Sequence, residues 1–353
     1  MVPLFIVSSR AYTGKTFLAL GLAFNLRQQG YTVGYMQPIG RVPVKKGNEV
    51  YAADAVFLKE VLSLPEPLNV ISPFVMSYES QQLLLEGQGG DVKEKIREAL
   101  QTQSQKDFVI IGGAGDLFEG ATLNIDAISL IRELNCFALM VESWNGDISV
   151  DTLVGSHRLL GKRFAGCIIN KVPIGTVNHV HEAVKPFLER MGVNVLGVFQ
   201  KDSVLEAITV KQLTEILNGK ILCCEDRLDE FIEHFSVGAM DLDSALIYFR
   251  RTPNKAVITG SHRSDIQLAA METSTKCIIL TGGLYTNEAV IGKAQAKGIP
   301  IISVHHDTFK TIEQIEAVIG KIGIREEKKV TRIREVTENF DYTRLLKTLK
   351  VQR

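Results

Sequence analysis

Residues 9 to 16 read SRAYTGKT, set between the apolar run VPLFIV and the apolar-periodic segment FLALGLAFNLRQQG. A buried strand that breaks into a tight turn and then a helix leaves the first N–H groups of that helix facing outward. The macrodipole favours negative charge at the same point. This is a seat for phosphate. The pattern GxxxxGK[ST] is met at Gly14, Lys15 and Thr16, with Ser9 in place of its first glycine. In such a loop, here Ser9, Arg10, Thr13 and Gly14, the backbone cradles phosphate. Lys15 then reaches the β- and γ-phosphates, and the Thr16 hydroxyl serves Mg2+. The competing reading is a lone GKT turn that caps a helix; strand, turn and helix arriving in the required order favour nucleotide binding.

At 353 residues the chain exceeds one comfortable core, and two domains are expected. Its 40 basic and 40 acidic side chains cancel, so nothing points to nucleic acid or an acidic membrane surface. Small ligands and protein partners are the default. Cys136, Cys167, Cys223, Cys224 and Cys277 lie mostly in apolar runs, without CxxC or metal spacing. They read as reduced core residues of a cytoplasmic protein. The apolar N-terminus lacks a charged leader and a cleavage site, so it is a first strand. No apolar run approaches the ~20 residues of a membrane span.

Along the chain, YTVGYMQPIG reads as a second strand, and RVPVKKGNEV as a mobile loop of the kind that meets a γ-phosphate. Residues 51–62 have helical spacing and carry Asp54 near their start, a place where the helix dipole alone accounts for an acid. Residues 91–104 make an amphipathic helix, and KDFVIIGGAGDLFEGA a buried strand that breaks into a glycine-rich loop. The apolar runs 137–143, 164–172 and 193–199 alternate with helical segments 150–161 and 178–191. Strands that are apolar throughout and alternate with helices imply a mostly parallel sheet covered on both faces. A doubly wound α/β domain is expected over residues 1–219. CCEDRLDEFIEHF then reads as helical, 255–260, 276–282 and 299–306 as strands, and DIQLAAMET, NEAVIGKAQAKG and TIEQIEAVIGK as helices. These make a smaller α/β domain over 220–325, followed by a charged, partly helical tail over 326–353.

The order SRAYTGKT, VGYMQPIG, DAVFLKEVL, VIIGGAGDLFEG and IINKV resembles the dethiobiotin-synthetase-like branch of P-loop ATPases, whose relatives include cobyrinic acid a,c-diamide synthase. More specifically, SVGAMDLDSAL, AVITGSHRSDIQLAAMETSTKCIILTGG and DTFKT resemble the DRTGG domain. The pairing is similar to the N-terminal region of long-form phosphotransacetylases and covers about residues 1–325. No acetyltransferase domain follows in this sequence, so a stand-alone form without phosphotransacetylase activity is expected.

The resemblance implies roles. Lys15 and Thr16 fall on phosphate and Mg2+ ligands, and Asp54 on an acid that helps hold the metal. Mg2+ is commonly held by one or two carboxylates and the phosphates, with waters completing the shell. Where relatives carry a glutamate after the strand, this chain has Gly112, which argues against carboxylate-activating chemistry. Asp116 and Glu119 on the same loop are candidate substitutes, with a solvated loop as the alternative. Arg10 stands where such ATPases carry a lysine that reaches a neighbouring subunit's nucleotide, with a plain surface arginine as the alternative. Asn170 and Lys171 match a pair that borders the base, although strand-end turn residues read the same way. In the second domain Arg263 and Asp265 match the family's turn, while Ser261 and His262 replace its usual residues. With Thr281, Gly282, Gly283, Asp307 and Thr308 they are candidates for a ligand at strand ends, against helix capping or a dimer contact.

The expected protein binds ATP with Mg2+ and serves a regulatory or sensing role as a homodimer, with a metabolic enzyme as a candidate partner. The alternative is an ATP-dependent ligase that activates a carboxylate.

Overall fold

The run VPLFIVS forms strand β1, Val2–Ser8, buried from Leu4 onward. The computed structural model describes residues 1–86, 91–283, 287–318, 324 and 326–351. The chain divides into two units, Met1–Lys201 with Gly323–Arg353, and Asp202–Ile322. In the first, β1 leads to helix α1 (Lys15–Gln28), strand β2 (Val33–Met36), a hairpin β3 (Pro43–Lys46) and β4 (Glu49–Ala52), and helix α2 (Ala53–Val61). Strands β5 (Phe108–Gly112), β6 (Phe137–Ser143), β7 (Phe164–Val172) and β8 (Val195–Gln200) follow. The sheet is parallel in the order β2-β5-β1-β6-β7-β8. Strand order reverses about β1, so the loop after Ser8 opens at the switch point where such sheets receive ligands.

Helix α1 is buried nearly all round: Phe17, Leu18, Ala19, Leu20, Leu22, Ala23 and Leu26 are all in the core. A helix apolar on every side needs cover on every side. The end of the chain supplies it. Helix Glu327–Thr337 packs on α1, and Thr337 lies so close that a Cβ on Gly21 would come within 2.4 Å of its methyl carbon. The Tyr342 hydroxyl donates to the Gly21 carbonyl at 3.1 Å, and the Arg334 guanidinium stands 4.0 Å from the Phe24 ring centre. Asp341 N–H donates to the Leu196 carbonyl at 2.8 Å, and Arg344 pairs with Glu189 at 2.6 Å. The end of the chain thus holds helices Glu327–Thr337 and Tyr342–Thr348 and is built into the first unit.

The second unit carries strands β9 (Ile208–Thr209), β10 (Lys220–Cys223), β11 (Phe231–Ile232), β12 (His234–Val237), β13 (Lys255–Gly260), β14 (Thr275–Thr281) and β15 (Ile301–Ser303). Its main sheet runs β10-β15-β14-β13-β12, parallel except for β10. Residues 202–219, counted along the sequence with the first domain, lie with this unit, where Thr209 and Gln212 cap helix Val210–Leu217 reciprocally.

Two segments differ from their sequence reading. The loop RVPVKKGNEV contains the hairpin β3–β4, turned at Gly47 with φ +65°. The segment CCEDRLDEFIEHF is a short turn of helix, Glu225–Arg227, followed by β11 and the start of β12. Its helix-like apolar spacing yields to pairing of β12 with β13. The last residues of TIEQIEAVIGK lie outside the described residues; helix Thr308–Val318 covers the rest.

The tail's attachment is testable by chemical denaturation of the full chain. Gly21→Ala, which drives a methyl into Thr337, should cost about 1–3 kcal/mol. Tyr342→Phe should cost about 0.5–1.5 kcal/mol through the lost hydrogen bond. Unchanged unfolding midpoints in both variants would contradict this docking.

Candidate functional site

The loop between β1 and α1 is held from three sides. Gly14 has φ +112°, and a Cβ there would come within 2.3 Å of Asn170 Nδ2, so this position excludes any side chain on two counts. Asn170, at the end of β7, donates its amide to the Thr13 carbonyl at 2.8 Å and so braces the loop. Ser9, the residue in place of the motif's first glycine, donates its hydroxyl to Glu142 Oε2 at 2.5 Å. Arg10 Nη2 donates to the Ser143 carbonyl at 3.0 Å. Glu142 is a site residue that sequence reasoning missed. Burial pushes its carboxyl up from the ordinary range, against the Ser9 hydrogen bond and the Arg10 charge. Its signal was an acid inside the apolar run FALMVES, which an apolar strand tolerates only with a partner.

Lys15 turns back onto the loop. Its Nζ donates to Ser8 Oγ at 2.7 Å and to the Gly115 carbonyl at 3.0 Å. Burial lowers its pKa from the usual 10.5 to about 8, against the opposing pull of Glu119, Asp116 and Asp54. Thr16 Oγ1 donates to Asp54 Oδ2 at 3.4 Å, which brings together the hydroxyl and carboxylate expected to share a cation. Asp54 occupies the first turn of α2. The residues fit an anionic ligand with a divalent cation. Helix α1 starts without a side-chain cap, the buried Thr13 hydroxyl has no hydrogen-bond partner among the described residues, and the Thr16–Asp54 pair is an oxygen donor set suited to Mg2+.

The two loop acids are engaged locally. Asp116 Oδ1 accepts from the Phe118 and Glu119 amides at 2.8 and 3.0 Å. Glu119 accepts from the Gly115 amide at 2.6 Å and pairs with Arg41. Their charges reach Lys15, but their hydrogen bonds shape the loop. Lys171, next to Asn170, has φ +55° at the strand end.

In the second unit, Arg263 and Asp265 form a two-pronged ion pair at 3.0 and 2.9 Å, and Arg263 also donates to the Met240 carbonyl at 3.0 Å. Thr281 and Thr308 hydroxyls lie 2.8 Å apart, and Asp307 caps the following helix through the Lys310 amide at 2.8 Å. Gly282 and Gly283 take left-handed conformations, with Gly283 hard against His305. Ser261 is buried at the end of β13, and the His262 ring leans over Gly260. Among the described residues, strand order from β12 to β15 advances without reversal, with no switch point like that of the first sheet.

Comparisons agree with this layout. A family described as AAA domain matches residues 3–209, and the DRTGG domain matches residues 212–318. A phosphate acetyltransferase of Synechocystis sp. is 24% identical over 339 residues, covering 90% of this chain and 48% of that protein. The chain therefore spans about half the length of that relative. An ATP-dependent dethiobiotin synthetase BioD of Methanocaldococcus jannaschii is 28% identical over 209 residues, covering 55% of this chain and 92% of that protein. A crystal structure of the CBS and DRTGG domains of the regulatory region of Clostridium perfringens pyrophosphatase, complexed with diadenosine tetraphosphate, is 24% identical. It covers 34% of this chain and 51% of that one, with a TM-score of 0.29.

The lowered Lys15 pKa has a measurable consequence. The protonated amine is the form that attracts an anion, so below about pH 8 the site is ready and above it a proton must be taken up on binding. ATP affinity should fall about tenfold per pH unit above pH 8, with proton uptake seen by calorimetry in buffers of different ionisation enthalpy. Lys15→Arg, which stays charged, should flatten that slope. A flat wild-type profile to pH 9.5, about 1.5 units above that pKa, would contradict a desolvated Lys15 at the binding locus.

Proposed function

Because the chain belongs to the AAA domain family that residues 3–209 match, we propose that its first unit binds ATP together with Mg2+ and that the protein works as a nucleotide-responsive regulatory or sensing module. The observation that carries this is the meeting of Lys15, Thr16 and Asp54 at the uncapped start of α1. In this reading the amides from Thr13 to Thr16 and the Thr13 hydroxyl receive phosphate, with Ser9 and Arg10 fixing the entry to the loop. Lys15 exchanges its contacts with Ser8 and Gly115 for β- and γ-phosphate oxygens. Thr16 and Asp54 hold the cation, whose chemistry is to neutralise phosphate charge. Asn170 and Lys171 border the base, Asn170 doing so while it braces Thr13.

A regulatory role is favoured over turnover by the state of the carboxylates. Asp54 faces Thr16, whereas Asp116 and Glu119 are spent on loop amides and on Arg41. The DRTGG domain that follows the P-loop domain in sequence, and relatives about twice as long named phosphate acetyltransferase, support a module whose nucleotide state is read by a metabolic enzyme. In the second unit Arg263, Asp265, Thr281, Gly282, Asp307 and Thr308 are the residues offered to an effector. A cytoplasmic homodimer is part of the same proposal; among the described residues no helix is long and apolar enough to cross a membrane. The second reading, an ATP-dependent ligase that activates a carboxylate, is supported by the match over 92% of a dethiobiotin synthetase, and Asp116 or Glu119 would then have to leave the loop to serve the metal.

Thermal denaturation with ATP and Mg2+ separates these outcomes. Ligand at a hundred times its Kd adds about 2.7 kcal/mol to the folded state, several degrees in a unit of this size. Lys15→Ala should abolish that rise, and an equal rise in the variant would remove the loop from the account. Hydrolysis should stay well below the ~1 per second at which ordinary enzymes begin. Turnover above it on a simple carboxylate, lost in Asp54→Ala, would establish the ligase instead.

A further inference from the structure

Helix Leu242–Arg251 joins the edge strand β12 to β13 and packs beside helix Ser264–Met271. Its inner side is Ala245 and Phe249, both buried in one cluster with Val257 and Ile278. Its outer side departs from the usual polar pattern. Ile247 is 57% and Tyr248 53% exposed, side by side at mid-helix. Residues three and four apart share a helix face, so Asp243 and Ser244 lie one turn before this pair and Arg250 and Arg251 one turn after it. Asp243, Arg250 and Arg251 are exposed, and among the described residues none of them forms an ion pair within the chain.

Along this face the order is acid, apolar pair, base. The helix dipole alone accounts for an acid at the start and bases at the end. It does not account for the exposed Ile247 and Tyr248 between them. A second copy of the same helix accounts for both. In an antiparallel pair about a two-fold axis at Ile247, Asp243 and Arg251 each lie about 6 Å along the helix from the axis, on opposite sides. Asp243 of one copy then meets Arg251 of the other, and the symmetry makes the contact twice. Ser244 meets Arg250 in the same way. The apolar residues meet at the centre, where exclusion of water counts most. A parallel pairing would instead set acid on acid and base on base.

We propose that this face of helix Leu242–Arg251 docks a second copy of the chain, in an antiparallel two-fold contact centred on Ile247 and Tyr248 and oriented by Asp243 against Arg250 and Arg251; this rests on the homodimer reading above and names the surface that forms it. A contact built on a helix of 10 residues, about 15 Å long, stands at the small end of the interface range. The dimer should therefore dissociate on dilution.

Sedimentation velocity of the full chain from about 1 to 100 μM tests this. Wild type should pass from monomer to dimer, and Ile247→Glu should weaken the dimer at least about tenfold. Charge exchange gives the sharper reading. Asp243→Arg sets like charges face to face, and so does Arg250→Asp combined with Arg251→Asp, so each protein should be monomeric by itself. An equimolar mixture of the two should dimerise again, because every facing pair is then opposite in sign. A variant that had merely lost its fold would not be rescued by mixing. A wild-type dimer that Ile247→Glu leaves intact, or a mixture that stays monomeric, overturns the proposal and leaves the homodimer reading to another surface. Wild type that is monomeric throughout overturns that reading as well.

Discussion

The geometry of the phosphate loop depends on the fit between Gly14 and Asn170. The backbone at Gly14 is left-handed, and the Asn170 amide fills the place of a side chain there while it holds the Thr13 carbonyl. Because β7 carries Asn170 and β6 carries Glu142, the partner of Ser9, two strands beyond the loop's own fix its shape. The serine in the motif's first position is therefore compatible with a working loop. A glycine there would turn freely; the serine is anchored by a buried carboxylate that needs a donor.

The same logic explains the apolar helix that follows. Its outer face cannot meet water, and the last residues of the chain cover it through Thr337, Tyr342 and Arg334. The start of α1 bears the candidate anion site, while the middle of α1 bears the contact with the tail.

Much of this was legible in the sequence for a physical reason. FALMVES and FAGCIINKV are apolar but for Glu142, Ser143, Asn170 and Lys171, and short apolar runs that alternate with helical segments suit strands buried on both faces; both form strands over the runs as read. Lys15 and Thr16 could be named because their spacing follows from phosphate and cation chemistry, whereas Asp54 was named through the family resemblance. What escaped depended on partners distant in sequence. The spacing of Leu228, Ile232 and Phe235 mimics a helix, and only pairing with residues 255–258 makes His234–Val237 a strand. In the tail, charges obscure Ile333, Phe340, Tyr342, Leu345 and Leu349, all buried once the chain returns. Gly112 could be seen as a lost acid, but not as the position whose Cβ would come within 2.3 Å of the Tyr35 hydroxyl, since nothing local links the two.

The central claim is that ATP and Mg2+ sit on the loop Ser9–Thr16 and are held there without rapid turnover. A crystal structure of the full chain grown with ATP and Mg2+ tests it most directly. The account predicts intact ATP on the amides of Thr13 to Thr16, Lys15 withdrawn from the Gly115 carbonyl, and the cation between Thr16 Oγ1 and Asp54. Nucleotide bound elsewhere, or a loop that keeps Lys15 on Gly115 at saturating ATP, would contradict it.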